Sequence, residues 1–157
     1  MNRTDPVNMT MIDAKVVTGV GKLLTMDSTN NKVDLTAVGE ICIGISAGES
    51  ERAAGGSYDL TAPTVSMFPL GGVLMVQSAA SMTWTTGLTV YATNNGLATT
   101  ASGSSAKKIG LYVGEGQTTT ALVLNGNGDL VGVDGASGTG LLEGNMILVN
   151  TAGADIA

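Results

Sequence analysis

The sequence contains no histidine, one cysteine, one tryptophan, one phenylalanine and three prolines in 157 residues. Without histidine, the side chain that most often moves protons near neutral pH is missing. A lone Cys42 has no partner for an internal disulfide. A reactive thiolate would need a neighbouring base, so Cys42, inside "EICIGIS", reads as a small buried hydrophobe. Charged residues make up 13% of the chain, about half the usual ~25%. Solvated helices normally carry Glu and Lys on their outer faces, so a predominantly helical protein is excluded. The acids outnumber the bases 13 to 7, and Lys107–Lys108 is the only adjacent basic pair. Phosphate neutralisation dominates nucleic-acid binding, and anionic lipid surfaces also select clustered bases, so neither partner is expected. No apolar run approaches the ~18 residues of a membrane-spanning helix. At the N terminus Asp5, Pro6 and Asp13 interrupt what would be the apolar core of a secretion signal, so none is expected.

The 23 glycines, with abundant Thr, Ser and Asn, suit short strands and tight turns. From Val16 onward, short runs of alternating apolar residues are separated by turn signals such as "DSTNNK", "NNG" and "NGNG". This pattern predicts an all-β fold, a small sandwich or barrel. In "EICIGIS" the alternation predicts a strand with Ile41, Ile43 and Ile45 on one face. In "KKIGLYVGE" it places Ile109, Leu111 and Val113 together.

"IGISAGE" at 43–49 returns as "IGLYVGE" at 109–115. The match extends to residues 21–49 and 87–115, in which Gly21 and Gly87, Gly44 and Gly110, and Glu49 and Glu115 are each 66 residues apart. "TNN" at 29–31 and 93–95 is offset by 64 residues rather than 66, so the turn length shifts slightly between the two copies. The expected architecture is therefore two related strand units forming one β core, with Gly44 and Gly110 where the sheet bends or another backbone approaches. The expected organisation is an N-terminal arm over 1–15, a β domain over 16–134 and a C-terminal extension over 135–157. The arm lacks periodicity except for alternating Val7, Met9 and Met11. Those three could form one face of a strand added to a partner's sheet edge.

No chemical motif survives inspection. "GVGK" at 19–22 lacks the first glycine and the Ser/Thr of a phosphate loop. "GNGDLVG" has Val131 where a dinucleotide fingerprint needs its third glycine. Asn125, Asn127 and Asp129 have calcium-loop spacing, but Leu130 and Ala136 replace the required Gly and Glu. Glu49 and Glu51 lie beside Arg52 in a loop that reads as solvated surface. No catalytic residue, cofactor or metal is expected, and the chain is read as a non-enzyme. Between Asp59 and Lys107 no charged residue occurs. Subunit interfaces lose charge at their centres, so Phe68, Leu70, Val73, Met75, Trp84 and Tyr91 are candidate interface residues.

Residues 87–133 resemble the capsid decoration, or cement, proteins of tailed bacteriophages. The resemblance is carried by Val90–Tyr91, the turn Asn94–Gly96, Ile109–Gly110, and Asp129, Leu130, Val131 and Val133. It implies a small β-tulip-like domain that forms homotrimers and binds the major capsid protein outside the head, with an N-terminal arm in the contact. On that basis Asn2, Arg3, Thr4, Val7, Met9 and Met11 are candidate capsid-binding residues. The implied protein is a structural virion component, made in the host cytoplasm and located on the capsid exterior. A carbohydrate- or surface-binding β module of a fibre or adhesin is the alternative.

Overall fold

A computed structural model describes residues 5–12, 16–48, 63–80, 82–113 and 146–155, together with the backbone of strands at 120–124 and 130–134. Strands β1 (Val7–Thr10), β2 (Leu23–Asp27), β3 (Lys32–Leu35), β4 (Cys42–Ser46) and β5 (Thr64–Pro69) form one sheet in the order β1-β5-β4-β2-β3. Strands β6 (Val73–Gln77), β7 (Thr89–Thr93), β8 (Leu97–Thr99), β9 (Lys108–Tyr112) and β12 (Met146–Asn150) form a second, ordered β6-β12-β9-β7-β8. The intervening β10 (Thr120–Leu124) and β11 (Leu130–Asp134) pair only with each other. All named pairings are antiparallel. The all-β expectation is met.

The two sheets are the same object built twice. Leu24 pairs with Gly44 and Thr25 with Cys42; in the second sheet Val90 pairs with Gly110 and Tyr91 with Lys108. Both registers shift at the same step, leaving Ile43 and Ile109 as the extra residues of equivalent β-bulges. The correspondence continues into strands that the sequence repeat did not include. Met67 of β5 faces Ser46 as Val149 of β12 faces Tyr112. Val7 of β1 faces Met67 as Leu74 of β6 faces Val149. Asn31 and Asn95, from the two "TNN" turns, share a left-handed backbone with φ of 53° and 61°.

Each sheet closes on itself. Met11, just past β1, makes a parallel bridge to Val33 of β3, and Ser78, just past β6, makes the equivalent bridge to Ala98 of β8. The Ile12 amide donates to the Val33 carbonyl at 2.9 Å, and the Ala79 amide to the Ala98 carbonyl at 2.8 Å. First and last strands thus meet, and each unit is a closed five-stranded barrel without a long open edge.

Two expectations are corrected here. The segment read as an independent arm is a strand of the first barrel from Val7 to Thr10, and Met11 is fully buried. The segment read as a C-terminal extension supplies β12, an inner strand between β6 and β9. Each is separated in sequence from the strands it pairs with, so local patterning does not join it to the core. The shared face of Ile41, Ile43 and Ile45 is also corrected. Across the bulge, Ile43 packs with the first barrel's interior, whereas Ile45 packs with the cluster centred on the second. Likewise Ile109 is buried while Leu111 is 40% exposed.

The barrel interiors match position by position. In the first, Met11, Val17, Leu24, Val33, Val65 and Met67 form one cluster. Register places Ser78, Val90, Ala98, Ile147 and Val149 at the sites of Met11, Leu24, Val33, Val65 and Met67, and Trp84 follows Ser78 by the same six residues that separate Val17 from Met11; all are buried. By that spacing Trp84 stands for Val17, and its added bulk goes with Ser78 for Met11 and Ala98 for Val33. The Trp84 indole N–H donates to the Ser78 hydroxyl at 2.9 Å, satisfying the polar atom that the larger ring brings into the core. The Ser78 hydroxyl in turn donates to the Ala79 carbonyl.

The glycines of the repeated motif sit at close backbone contacts. A Cβ on Gly44 would meet the Met67 side chain and lie 2.7 Å from the Phe68 carbonyl oxygen; one on Gly110 would strike the Asn150 carbonyl, the equivalent group. Gly44→Ala and Gly110→Ala are each expected to lower stability by about 1–3 kcal/mol in denaturant unfolding. Gly103→Ala, whose new methyl would meet nothing within 4 Å, should change little. Equal effects at all three sites would contradict the close-contact account. A second test concerns the exchanged core volumes. Trp84→Val should cost about 3 kcal/mol, and Ser78→Met alone should overpack the barrel. The double variant should recover at least ~1 kcal/mol relative to additivity, and strictly additive losses would show that the two positions do not compensate.

Candidate interaction surface

The barrels meet through groups contributed by each. The Gln77 amide donates to the Gly21 carbonyl at 2.8 Å, and its side-chain amide to the Val20 carbonyl at 2.7 Å. The Gly96 amide donates to the Thr36 carbonyl at 3.0 Å. Gly96 must lack a side chain here, since a Cβ would lie 2.6 Å from the Leu23 carbonyl oxygen. Gly21, with φ of +89°, receives the end of the Met146 side chain and the backbone amide of Gln77. Leu23, Cys42 and Ile45 of the first barrel complete the hydrophobic cluster centred on the second.

Outward positions of the second sheet extend this contact. Successive outward rows are Gln77–Met146, then Met75–Leu148, then Val73–Asn150–Leu111. The first row touches the first barrel. In the next two, Val73 is 55%, Met75 52%, Leu148 42% and Leu111 40% exposed. These four apolar side chains form one uncharged patch across β6, β12 and β9. The corresponding positions in the first barrel are different in kind. Met75 and Leu148 correspond to Asn8 and Ser66, a polar pair in which the Ser66 hydroxyl donates to Asn8 Oδ1 at 2.6 Å. Leu111 corresponds to Ile45, which is buried. The fold is compatible with polar residues at the outward β1–β5 pair, so packing within a barrel does not demand Met75 and Leu148.

The candidate interface residues separate accordingly. Val73 and Met75 lie in the patch, while Phe68, Leu70 and Tyr91 are half-buried. Trp84 does not belong to a surface: it is 1% exposed inside the second barrel. Leu111 and Leu148 complete the patch and were missed, because only strand register brings them beside Val73 and Met75. Of the candidate capsid-binding residues, Val7 is exposed, Met9 half-buried and Met11 buried. Asn2, Arg3 and Thr4 lie outside the described residues, as do Glu49, Glu51 and the Asn125–Asp129 spacing.

A groove lined by Thr25, Met26, Asp27, Ser28, Gly39, Glu40, Ile41, Ile43 and Lys107 brings together three charged residues, Asp27, Glu40 and Lys107. Its acids already serve local turns. Asp27 Oδ1 accepts from the Thr29 and Asn30 amides at 2.8 and 2.9 Å, and Glu40 Oε2 accepts from the Ala37 amide at 2.8 Å. Among the described residues, no three His, Cys, Asp or Glu side chains converge as a metal site. No helix among them is long and apolar enough to cross a membrane.

Cys42 lies at the inter-barrel cluster, 4% exposed, its thiol donating to the Gly44 carbonyl at 3.2 Å. Burial pushes its pKa up to about 11. The folded protein therefore holds the thiol proton where an unfolded chain releases it. Stability from this site is complete below the unfolded pKa near 9 and is lost as pH rises towards 11. Unfolding midpoints of the wild type should fall more steeply between pH 9 and 11 than those of Cys42→Ala, and native thiol labelling at pH 8 should await unfolding. Rapid labelling, or identical pH profiles for the two proteins, would contradict the burial.

No protein-family model matches this chain, and no curated protein matches its sequence.

Proposed function

We propose that the protein is a structural component of a tailed-bacteriophage head that binds the outer capsid surface and bridges neighbouring major capsid protein subunits. The observation that carries this reading is the uncharged apolar face of β6, β12 and β9. It is an interaction surface that the fold itself does not require. The resemblance of residues 87–133 to decoration proteins supports the same assignment. So does the engagement of Asp27 and Glu40 in turns rather than in a reactive pair. The partners are the major capsid protein and further copies of the chain, and the working location is the capsid exterior after synthesis in the host cytoplasm.

Such a protein works by mass action. Binding only the mature shell stabilises that shell by RT ln(1 + [L]/Kd) per site. Modest affinity at each site suffices when many contacts act together. The carbohydrate-binding alternative is less well supported. Sugar faces are usually read by exposed aromatic rings, and Trp84 is enclosed and hydrogen-bonded to Ser78.

Purified protein mixed with empty expanded heads should co-sediment to a saturating ratio and raise the temperature at which the heads rupture. No co-sedimentation at tens of micromolar protein would overturn the capsid assignment.

A further inference from the structure

We infer that the Val73–Met75–Leu111–Leu148 face is where a second copy of this chain packs; the inference rests on reading that face as an interaction surface. Three observations select this occupant. First, the face continues an existing contact between like barrels: its neighbouring row, Gln77 and Met146, is seated on Gly21 of the first barrel. Second, at the equivalent outward row of the first barrel, Leu23 and Ile45 are buried in the cluster centred on the second barrel, so a barrel of this fold already covers that surface once. In the second barrel the equivalent pair is Thr89 and Leu111, and nothing among the described residues buries it to the same degree. Third, the face carries no charge, so two copies meet without like-charge repulsion despite a chain charge of −6.

The contact cannot simply repeat the intrachain one. There, Gly96 lets the Leu23 backbone approach; by strand register the corresponding residue of the first barrel is Asn31, which carries the side chain that Gly96 lacks. A head-to-tail series of barrels therefore stops at two. Copies meet instead through the outer face of the second barrel, which produces a closed assembly rather than a filament.

The test uses residues that the fold already accepts. Met75→Asn with Leu148→Ser transplants the Asn8–Ser66 pair of the first barrel onto the second. Light scattering after size exclusion should give the wild type a mass two- to threefold above the chain's 15.7 kDa. It should give the double variant a mass near 15.7 kDa with an unchanged β-sheet circular dichroism spectrum. If the double variant loses that spectrum, Met75→Lys, at a half-exposed position, replaces it with the same expected mass. A wild type that stays at 15.7 kDa up to ~100 µM overturns the inference, as does a folded variant that keeps the wild-type mass. Head co-sedimentation separates the two ideas. A monomeric wild type whose double variant no longer binds heads assigns the face to the capsid, so the inference falls and the interaction-surface reading stands. A monomeric wild type whose double variant binds heads normally removes both. A monomeric wild type whose variant only melts earlier assigns the face to another segment of the same chain and also overturns the inference.

Discussion

At Gly44 and Gly110 a backbone carbonyl from the neighbouring strand occupies the space that any side chain would take. Both glycines sit one residue from the bulges at Ile43 and Ile109. A bulge adds local twist and bends its strand, and a glycine removes the side chain from the inside of that bend. Five strands then curl far enough for the first to reach the third. Met11 and Ser78 make that closure, and each barrel interior is enclosed by it. Without the close approach the sheets would remain open, and Val33 and Ala98 would lose the strand that covers them. The repeated "IG" is thus a device for closing a sheet, used twice.

Duplication separates what the fold needs from what is added to it. Closure, bulge position, the left-handed turn residue and the six interior positions are common to both barrels. Within the interior, identity is free provided that volume is conserved: Trp84 and Ser78 stand for Val17 and Met11. The outer faces obey no such constraint, and there the barrels diverge. One presents Asn8 and Ser66 bonded to each other; the other presents Met75 and Leu148 to solvent. Gly96 against Asn31 is a further divergence that allows one barrel-to-barrel contact and prevents its repetition. Function is expressed in these differences.

The fold class was legible because it lies in local signals: alternation, turn residues and low charge. The repeat was legible in its three middle strands, where Gly21, Gly44, Asn31 and their counterparts are retained. Its outer strands were not. β1 and β6 share no residue pattern, since Val7–Thr10 reads "VNMT" and the aligned Leu74–Gln77 reads "LMVQ". β5 and β12 correspond only through their pairing partners. Between β9 and β12 lies the β10–β11 pair, which breaks the sequence spacing. The arm and the extension were therefore read as separate from the core, although each contributes a strand to it. The interface candidates were half legible. Absence of charge located Val73 and Met75, but it could not distinguish them from Trp84, which is equally uncharged and lies inside. Leu148 and Leu111 became neighbours of Met75 and Val73 only through register.

The central claim is that two equivalent barrels are each closed by their own first strand. Amide hydrogen exchange resolved by NMR tests it directly, at the two donors that complete the closures. The Ile12 and Ala79 amides donate to Val33 and Ala98. Both should exchange as slowly as amides in the inner strands β4 and β9, within about tenfold of global protection. An Ile12 amide exchanging at the rate of an unstructured peptide, beside a protected Ala79, would contradict the account. The N-terminal strand would then be free of the first barrel, which would stand open.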